Sequence, residues 1–494
     1  MNTRLLPLDH ANDYQGCVLA YGHFSTIHPG HIRYLRHARG LGEQLVVALI
    51  GDGKTRYAFQ QQERAEALSL LGIADALLLL DADELNEAID VLQPKVLVLG
   101  NEFKHNAEIQ TTLMQQRQRG GAVQFHAGDI HYATAELLSR SERDLRQQRR
   151  SLFQAACRRQ GIQQAQLLDA INSWGATRLV VLGDTILDQY AACEAIGMSA
   201  EAPVVVVREL EHKNFIGGAA VVAAHISALG ARCDFISVVG ADSIAKLVRE
   251  ELVAQGIGDG LSTDPSRPTT LKKRYVVENQ KLFRVSRLEE HNLDTDVENQ
   301  VIAHLQRLAP HAQGIVVSDF VYGVVTPRIL EVVHELAKEH GLLLFGDLQC
   351  SSQVGSITRF KNFSLLCPNE REARLALQDK DSGLEKLNQR LLQITGSERL
   401  VMKLGPEGFI AYDREPNGLL SSQAFPALSV NPLDVAGAGD SLLALFATGL
   451  ASGQAMMPTA ALACCMAALA VETMGNTPIS GTALRNNVME MLLP

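Results

Sequence analysis

The sequence predicts an α/β protein with two domains, and three observations carry that prediction. Near the start of the chain, an apolar strand at 17–21, a basic helix-like run at 32–39 and a second strand at 44–50 form a β-α-β unit. A second alternation of strands and helices begins at Arg178 and continues to the end of the chain. At 494 residues the chain is too long for one ordinary hydrophobic core, so each alternation is expected to form a core of its own.

Composition narrows the class of substrate and partner. A hydrophobic content of 46% with 20% charged residues is ordinary for a soluble globular protein, and a net charge of −10 gives no general attraction to nucleic acid or anionic membranes. The eight cysteines are scattered with no CxxC pair, and the first residues lack the apolar core of a signal peptide. We therefore expect a reduced, cytoplasmic protein that acts on small molecules and binds neither nucleic acid nor membrane.

One long run, 441–471, contains no charged residue. Gly449, Gly453 and Pro458 divide it into two pieces, each shorter than the ~20 apolar residues that a bilayer requires. Two buried helices are therefore expected here.

The stretch 434–440, DVAGAGD, has the composition of a phosphate-binding turn and precedes an apolar run that suits a buried helix. Because Gly437, Ala438 and Gly439 are small, the backbone can wrap closely, so that the amides at the helix N-terminus point at a transferring phosphoryl group. Asp440, in the same turn, is a candidate general base for the attacking hydroxyl. A flexible loop followed by a helix cap is the alternative for GAG alone, and the aspartates at both ends of the turn disfavour it.

The first strand runs into 22–31, GHFSTIHPGH, at the beginning of a helix. His28 and His31 are three residues apart, so both imidazoles can face one side beside the positive end of the helix dipole. Such a pair suits the α-phosphate of a nucleotide, to which the ring N–H groups donate while pyrophosphate leaves. Two surface histidines at a helix start are the alternative explanation, which this motif alone leaves open.

Three later residues add to a nucleotide site. Lys54 follows the second strand and suits a triphosphate, Arg64 lies at the start of a helix, and Thr134 lies in a loop that enters a helix. Over residues 15–140 the order of these motifs resembles the nucleotidyltransferases of the cytidylyltransferase type. The resemblance implies a small Rossmann-like parallel sheet. It also implies catalysis by His28, His31 and Lys54, and nucleotide binding by Gly22, Phe24, Arg64 and Thr134.

Two motifs depart from that family's pattern. Ser25 stands where the family usually has Asp, and Ala133 and Ala135 flank Thr134 where the family has a Ser-Thr-Ser/Thr motif. A domain that binds nucleotide without turning it over therefore stays open as an alternative. The choice between ATP and CTP in this domain is also open.

Between the two alternations the composition shifts to Arg, Gln and Ala, with seven arginines from Arg140 to Arg159. Without an interleaved aromatic array, this pattern favours an exposed linker helix over an RNA-binding segment. We therefore predict domains at 1–145 and 173–494, joined by an Arg/Gln-rich linker helix at 146–172.

The second domain opens with an apolar strand, and Asp184 and Asp188 flank its end, at the edge where α/β proteins bind ligands. Gly217 and Gly218 precede a helix and let the backbone approach a ligand closely, although a plain strand-turn-helix joint explains the pair equally well. The run 267–275, RPTTLKKRY, is typical of a lid-like hairpin strand.

From Arg178 to the end, these motifs and the 434–440 turn resemble the ribokinase-like carbohydrate kinases. The resemblance implies a ribokinase-like α/β domain with a small β lid, in which Asp440 is the base. It also implies that Asn369 and Glu372 order Mg²⁺ largely through water, which suits an ion that keeps several waters. The sugar would be bound by Asp184, Asp188, Gly217 and Gly218, and the ATP by Gly437, Ala438, Gly439, Lys403, Gly405, Gly408 and Asn476. A monovalent cation is a further candidate cofactor.

Within that family, runs such as GDTILDQY and SAEAP look most like the kinase half of the bifunctional heptose-phosphate kinase/adenylyltransferases, in which the kinase comes first. Here the order is reversed. The resemblance implies ATP-dependent phosphorylation of a heptose-like sugar or sugar phosphate, and nucleotidyl transfer to a sugar phosphate that yields a nucleotide sugar and pyrophosphate. A sugar kinase with a degenerate nucleotide-binding domain and a catalytically silent scaffold are the alternatives. Asp440, Asn369 and Glu372 disfavour the scaffold.

Three positions near the expected sugar site differ from those relatives. Val221 stands where sugar kinases commonly have Asn, Tyr322 where the heptose kinases have the Lys of Gly-Lys-Gly, and Gln349 where they have the Lys of Asp-Pro-Lys. Because two potential phosphate-binding lysines are absent, we expect an acceptor other than 7-phosphorylated heptose, with less anionic charge or one fewer polar group. Lid strands in this kinase family often pair between subunits, so a homodimer is expected by analogy.

Overall fold

The computed structural model describes residues 3–24, 27, 29–52, 59–81, 84–100, 103, 109–126, 142–199, 201, 204–278, 280–349, 355–415 and 418–493. These residues cluster into two compact units. The first falls within Met1–Ser141, Ala373–Ile394 and Glu398–Phe425, and the second within Glu142–Glu372, Thr395–Ser397 and Pro426–Pro494. Two stretches of the C-terminal half thus cluster with the N-terminal residues, and the domain limits given above stay a prediction. His28, Lys54 and Thr134 lie outside the described residues.

The secondary structure follows the predicted alternation of strands and helices. The strands are β1 (Arg4–Leu6), β2 (Val18–Gly22), β3 (Leu45–Ile50), β4 (Ala76–Leu80), β5 (Val96–Gly100), β6 (Ala122–His126), β7 (Arg178–Gly183), β8 (Thr185–Met198), β9 (Val205–Gly218), β10 (Arg232–Val239), β11 (Gly258–Thr263), β12 (Thr270–Val277), β13 (Gln280–Arg287), β14 (Gly314–Asp319), β15 (Leu343–Leu348), β16 (Leu365–Leu366), β17 (Arg399–Lys403), β18 (Phe409–Arg414) and β19 (Leu420–Phe425). The helices are α1 (Pro29–Arg39), α2 (Gln61–Ser69), α3 (Leu85–Leu92), α4 (Gln110–Gln118), α5 (Glu142–Arg159), α6 (Gln164–Ser173), α7 (Ala219–Ala228), α8 (Ser243–Ala254), α9 (Thr295–Leu308), α10 (Pro327–His340), α11 (Glu370–Leu377), α12 (Leu384–Thr395), α13 (Ala438–Ala451), α14 (Met456–Val471) and α15 (Gly481–Leu492).

A parallel sheet in the order β1-β4-β3-β2-β5-β6 forms the centre of the first unit. In β3, LVVALI, residues 46, 48 and 50 pack into one hydrophobic cluster and residues 45, 47 and 49 into another. Because both faces are covered, the strand is a continuous apolar run. From β2 the chain adds β3 and β4 on one side of the sheet, and then returns to add β5 and β6 on the other side of β2. The direction of strand addition therefore reverses between β2 and β5, and their carboxyl ends flank a topological switch point. The Rossmann-like prediction is confirmed. The first unit also contains the antiparallel strands β17, β18 and β19.

The second unit contains parallel strands in the order β11-β10-β7-β14-β15-β16. A separate sheet has the order β13-β12-β8-β9, in which β8 pairs parallel with β12 and antiparallel with β9. This four-stranded sheet, called the lid sheet below, corresponds to the small β lid expected from the sequence. The α/β class of this part of the chain is therefore confirmed.

Helices α13 and α14 occupy the uncharged run 441–471. Most of their side chains are buried, as predicted for two buried helices. In the part of the chain that the structure describes, no helix is long and apolar enough to span a membrane.

The segment 146–172, expected to be one exposed linker helix, differs in the structure. It contributes to two helices, α5 and α6, which belong to the second unit. Phe153, Ala156 and Cys157 are three and four residues apart, so they share one helix face, and all three are buried. The expectation of an exposed helix is therefore wrong, because the arginine-rich composition hides a small apolar face.

The polar side of α5 holds the end of the chain. Nη2 of Arg150 donates to the carbonyl of Leu493 at 2.8 Å, and Nε2 of Gln154 donates to the carbonyl of Met491 at 3.0 Å. We call these four residues the C-terminal clasp. The last carbonyls of a helix have no partner within it, so the clasp satisfies groups that α15 leaves open.

Candidate functional site

The predicted phosphate-binding turn lies at the beginning of α13. Gly437 caps the helix with φ 78° and ψ −4°, a left-handed conformation that favours glycine. A Cβ atom at Gly437 would also lie 2.5 Å from Oδ1 of Asn476, so close approach is a second reason for glycine. Ala438 and Gly439 open the first helical turn, where backbone amides have no partner within the helix. The structure therefore has the helix N-terminus that the sequence predicts.

The candidate base Asp440 lies in that first turn and is 5% exposed. Its Oδ1 atom accepts a hydrogen bond from Nε2 of Gln349 at 2.8 Å. Gln349 directly follows β15, and its backbone N–H donates to the carbonyl of Asp319, the last residue of β14, at 2.9 Å. Asp440 is thus held at the carboxyl edge of the parallel strands, where α/β proteins bind ligands.

Asp188 on β8 connects the predicted sugar residues to the turn. Its carboxylate pairs with the guanidinium of Arg274 and accepts from Nδ2 of Asn476 at 2.9 Å. A Cβ atom at Gly217 would lie 2.3 Å from Oδ2 of Asp188. The structure therefore brings Asp188, Gly217, Asn476 and Gly437 into one cluster. Asn476, predicted for the nucleotide, lies against a residue predicted for the sugar.

The two glycines of the predicted pair do different things. Gly218 has φ 62°, and a Cβ atom there would lie 2.4 Å from the carbonyl oxygen of Asp184. The same oxygen accepts a hydrogen bond from the amide of Ala219 at 3.0 Å. Gly218 thus serves the strand-to-helix joint, whereas Gly217 lies against the cluster around Asp188.

Asp184 is 1% exposed, and its carboxylate is directed at the loop 320–324. It accepts from the amide of Phe320 at 2.7 Å and from the amides of Tyr322 and Val324 at 3.4 Å each. Burial raises the pKa of Asp184, although these hydrogen bonds oppose the shift. The side chain thus organises this loop, and its contact with sugar hydroxyls stays a prediction.

Asp319, at the end of β14, lies near Asp184. Burial, and then the charge of Asp184, raise the pKa of Asp319 to about 7, while the guanidinium of Arg359 opposes the shift. Nη1 of Arg359 lies 3.0 Å from Oδ2 of Asp319. Two buried carboxyl groups therefore interact at this end of the strands, and the charge of Asp184 disfavours ionisation of Asp319.

At the other end of the turn, Asp434 anchors the lid sheet. Its Oδ1 accepts from Nζ of Lys281 on β13 at 2.7 Å, and its Oδ2 accepts from the hydroxyl of Tyr190 on β8 at 2.6 Å. Burial alone would raise the pKa of Asp434, but the hydrogen bonds from Lys281 and Tyr190 outweigh burial and lower it. Two strands of the lid sheet are thus tied directly to the turn.

Three residues of this site were not among those predicted: Tyr190, Arg274 and Lys281. Arg274 lies in the run predicted as a lid strand, so it carried a local signal. Gln349 was expected near the sugar site, but its contact with Asp440 was not predicted. Lys281 and Tyr190 carried none, because their contacts with Asp434 span 153 and 244 residues.

Asn369 and Glu372, the predicted metal residues, form a reciprocal capping box at the start of α11. The amide of Glu372 donates to Oδ1 of Asn369, and the amide of Asn369 donates to Oε2 of Glu372, both at 2.8 Å. Within the described ranges, no group of three or more His, Cys, Asp or Glu residues could hold a metal ion. The pair fits Mg²⁺ held through water, because Mg²⁺ keeps several waters and needs only one or two protein oxygens beside phosphate.

In the first unit, three predicted residues meet after β2, at the switch point of the sheet. Gly22 ends β2, and a Cβ atom there would lie 3.0 Å from the ring of Phe24. The buried Phe24 ring has its centroid 4.9 Å from that of His31. Nε2 of His31 lies 3.5 Å from Oε1 of Glu385 in α12. A carboxylate from late in the chain thus lies beside a histidine predicted for nucleotidyl transfer.

Arg64, predicted to bind phosphate, is 2% exposed and directed into the protein. Its guanidinium donates to the carbonyls of His23 and Ile50 and to Oδ1 of Asp52, the last two at 2.9 Å. These contacts join the segments that follow β2 and β3. Contact with phosphate stays a prediction.

Lys403, Gly405 and Gly408 lie in one hairpin between β17 and β18. Gly405 and Gly408 have φ values of 59° and 97°, which explains both glycines as turn residues. Oε1 of Glu407, in the same hairpin, lies 3.0 Å from Nη1 of Arg33 on α1. The nucleotide contacts of Lys403 and the two glycines stay a prediction.

Two family models match separate parts of the chain. Residues 176–482 match the model of the pfkB family carbohydrate kinases, and residues 19–128 match the cytidylyltransferase-like model. The similar curated proteins include two named bifunctional protein HldE, from Desulfatibacillum aliphaticivorans (28% identical over 326 residues) and Geobacter sulfurreducens (32% over 311 residues). The first alignment covers 65% of each chain and the second 62%, so this chain spans somewhat less than two thirds of these relatives.

Among solved structures, phosphofructokinase-2 from Escherichia coli in complex with substrates and products has a TM-score of 0.54 at 16% identity, covering 64% of this chain and 99% of that chain. The tetrameric inhibited form of phosphofructokinase-2 has a TM-score of 0.53 at 17% identity, with the same coverage. These similarities establish the fold alone.

Proposed function

Because the chain belongs to the pfkB family of carbohydrate kinases, we propose that it transfers the γ-phosphate of ATP to a hydroxyl of a heptose-like sugar or sugar phosphate. The observation that carries the proposal is the position of Asp440, in the first turn of α13 after a glycine-capped turn and beside the end of β15. A base and a helix N-terminus at one place are what this transfer requires.

The described residues suggest a role for each part of the site. Asp440 accepts the proton of the attacking hydroxyl, while the first-turn amides of α13 face the transferring phosphoryl group. Asp188, held by Arg274 and Asn476, accepts hydrogen bonds from sugar hydroxyls. Asn369 and Glu372 would hold Mg²⁺ through water, and the bound ion would offset the charge of the phosphate oxygens.

The Asp440→Asn variant tests the kinase proposal. The substitution keeps the shape of the side chain and removes the base, so we expect kcat for sugar phosphorylation to fall ~10²- to 10⁴-fold with an unchanged melting temperature. Asp294→Asn is the matched control, because Asp294 caps α9 through the amide of Val297 at 2.9 Å and Asn caps equally well. Near-wild-type phosphorylation by Asp440→Asn would contradict the assigned role.

We further propose that the first unit transfers a nucleotidyl group to a sugar phosphate and releases pyrophosphate. The family match over 19–128 and the meeting of Gly22, Phe24 and His31 at the switch point support this activity. With ATP and CTP each offered as donor, His31→Ala should abolish pyrophosphate release and spare sugar phosphorylation. His37→Ala, later in the same helix, is the control and should retain both activities.

A kinase whose first unit only binds nucleotide is the second candidate function. The inward guanidinium of Arg64 favours it, together with Ser25 and Ala133 in the sequence. Nucleotide binding by calorimetry, without pyrophosphate release for any sugar phosphate, would establish this second function.

The charge of the acceptor depends on residues near loop 320–324. Val221, expected to face the sugar, is 0% exposed within α7, so that expectation is corrected. Nζ of Lys272 lies 5.2 Å from the ring centre of Tyr322, beside the position where the heptose kinases have a lysine. We still propose an acceptor with less anionic charge than heptose 7-phosphate. A higher kcat/KM for heptose 7-phosphate than for unphosphorylated heptoses would contradict this and indicate that Lys272 replaces the missing lysine.

We also propose a homodimer formed through the lid sheet. All residues of β13 are exposed, and the exposed side chains of this sheet include Ile196, Met198, Phe283 and Val285. Exposed apolar side chains grouped on one element are typical of a protein–protein contact. Light scattering should give twice the chain mass, and Phe283→Lys should shift the protein toward the monomer. A wild-type monomer at micromolar concentration would contradict the proposal.

A further inference from the structure

Gln349 contacts the candidate base and is itself fixed at two points. Its side-chain Nε2 donates to Oδ1 of Asp440 at 2.8 Å, across 91 residues of sequence. Its backbone N–H donates to the carbonyl of Asp319 at 2.9 Å, which continues the pairing of β15 with β14 by one residue. The backbone that carries the amide is therefore part of the sheet.

Other carboxylates around the site are paired with cations. The pairs are Asp434 with Lys281, Asp188 with Arg274, and Asp319 with Arg359. A cation favours the ionised carboxylate and so reduces its affinity for a proton. The Gln349 amide is a neutral donor to Asp440, and a neutral donor orients a carboxylate with a smaller loss of basicity than a cation does.

We propose that Gln349 is a positioning residue for phosphoryl transfer, which fixes the plane of the Asp440 carboxylate so that Oδ2 receives the proton of the acceptor hydroxyl. The inference rests on the proposed kinase function. Proton transfer requires the base within about 2.6–3.2 Å of the hydroxyl oxygen. Loss of this hydrogen bond would remove a restraint on the carboxylate, so the base would be aligned with the acceptor for a smaller part of the time.

Gln349→Ala is the first test. Loss of a hydrogen bond to a charged group predicts a fall in kcat of about 10- to 100-fold, with KM for ATP and for the sugar changed less than about twofold. Gln313→Ala is the matched control. The Oε1 atom of Gln313 accepts from the amide of Arg178 at 2.6 Å at the opposite end of the same strands, so its loss should leave kcat unchanged.

Gln349→Lys and Gln349→Glu give a readout that a merely structural role would not move. The lysine keeps a donor and adds a positive charge, so the acidic limb of the kcat profile should shift to lower pH. The glutamate adds a negative charge, so that limb should shift to higher pH. Asp319, whose pKa is raised to about 7, would shift in the same directions, so the profiles are compared in an Asp319→Asn background, where the shifts report on the base.

The outcomes separate the two proposals. An active wild type with a normal Gln349→Ala variant and superimposable pH profiles would overturn the positioning role and leave the kinase intact. A wild type that phosphorylates no sugar would overturn the kinase function and the positioning role with it. Melting curves identify any variant that fails to fold. If Gln349→Glu fails to fold, kcat of Gln349→Ala and the pH profile of Gln349→Lys are sufficient to test the positioning role.

Discussion

At the scale of single residues, the buried carboxyl groups Asp184 and Asp319 link the stability of the second unit to pH. Burial, and then the charge of Asp184, raise the pKa of Asp319 from 3.8 to about 7 in the folded protein. Between these two values the folded state binds a proton that the unfolded state has released. The contribution of this group to the free energy of unfolding therefore falls as the pH rises from 3.8 to about 7. Above pH 7 the folded protein carries the full destabilisation from the buried, ionised carboxylate.

Asp319→Asn should flatten this dependence, because an amide resembles the neutral carboxyl group and does not ionise. Between pH 5 and pH 8 we expect the melting temperature of the variant to fall less than that of the wild type. Asp294→Asn, at the start of α9, should follow the wild-type curve. Parallel melting curves for wild type and Asp319→Asn would show that Asp319 does not titrate in this range.

At the scale of elements, the lid sheet is attached to the 434–440 turn, the proposed site of phosphoryl transfer, by side chains from two of its strands. Tyr190 of β8 and Lys281 of β13 both donate hydrogen bonds to Asp434, while Arg274 of β12 forms an ion pair with Asp188. The lid strands therefore share hydrogen bonds with residues that we propose to lie at the sugar and the phosphate. Loss of one such contact should loosen the lid and change substrate binding more than the chemical step.

Lys281→Met should raise KM for the sugar several-fold and change kcat less. Lys281 is partly exposed, so the effect on stability should stay within about 1 kcal/mol. Lys273→Met is the matched control, because this substitution removes the same charge. Nζ of Lys273 contacts Glu209 within the lid sheet at 2.7 Å and not the 434–440 turn. Equal KM values for the two variants would mean that the Asp434 contact does not position the lid.

The elements were more predictable than their contacts. The strand at Arg178, the turn at 434–440 and the lid strand at 267–275 follow from local periodicity and small-residue composition, and the structure has all three. The bond between Gln349 and Asp440 depends on which strands become neighbours, and no local pattern encodes that. For the same reason the sequence did not show that Arg64 points inward, since its acceptors lie on two other segments.

At the scale of the whole molecule, the second unit begins earlier than the sequence suggested. Phe153 and Cys157 in α5 and Leu167 in α6 are buried. Helix α5 also provides the two donors of the C-terminal clasp. The arginine-rich segment is therefore part of a folded core. Its removal would expose apolar surface and leave the end of α15 without its hydrogen bonds.

Fragments test this boundary. A chain of residues 142–494 keeps α5 and α6, whereas 173–494 lacks α5 and nearly all of α6. The shorter chain should melt at least about 5 °C lower than the longer one or aggregate, because each large buried side chain contributes about 1.5–3 kcal/mol. Sugar phosphorylation by each fragment and differential scanning calorimetry provide the comparison. Equal melting temperatures would show that α5 and α6 do not contribute to this core.

The C-terminal clasp also bears on how such a chain can be assembled by gene fusion. Arg150 and Gln154 bond to the carbonyls of Leu493 and Met491, so the two ends of the second unit lie side by side. Arg150 is eight residues into α5, which corresponds to about 12 Å along the helix. A domain joined before Glu142 and a domain joined after the last residue would therefore leave the second unit from nearly the same place. In a protein with this geometry, exchanging the order of the two coding segments in the gene would reverse the order of the domains in the sequence. It would move the point at which the other domain is attached to the second unit only slightly.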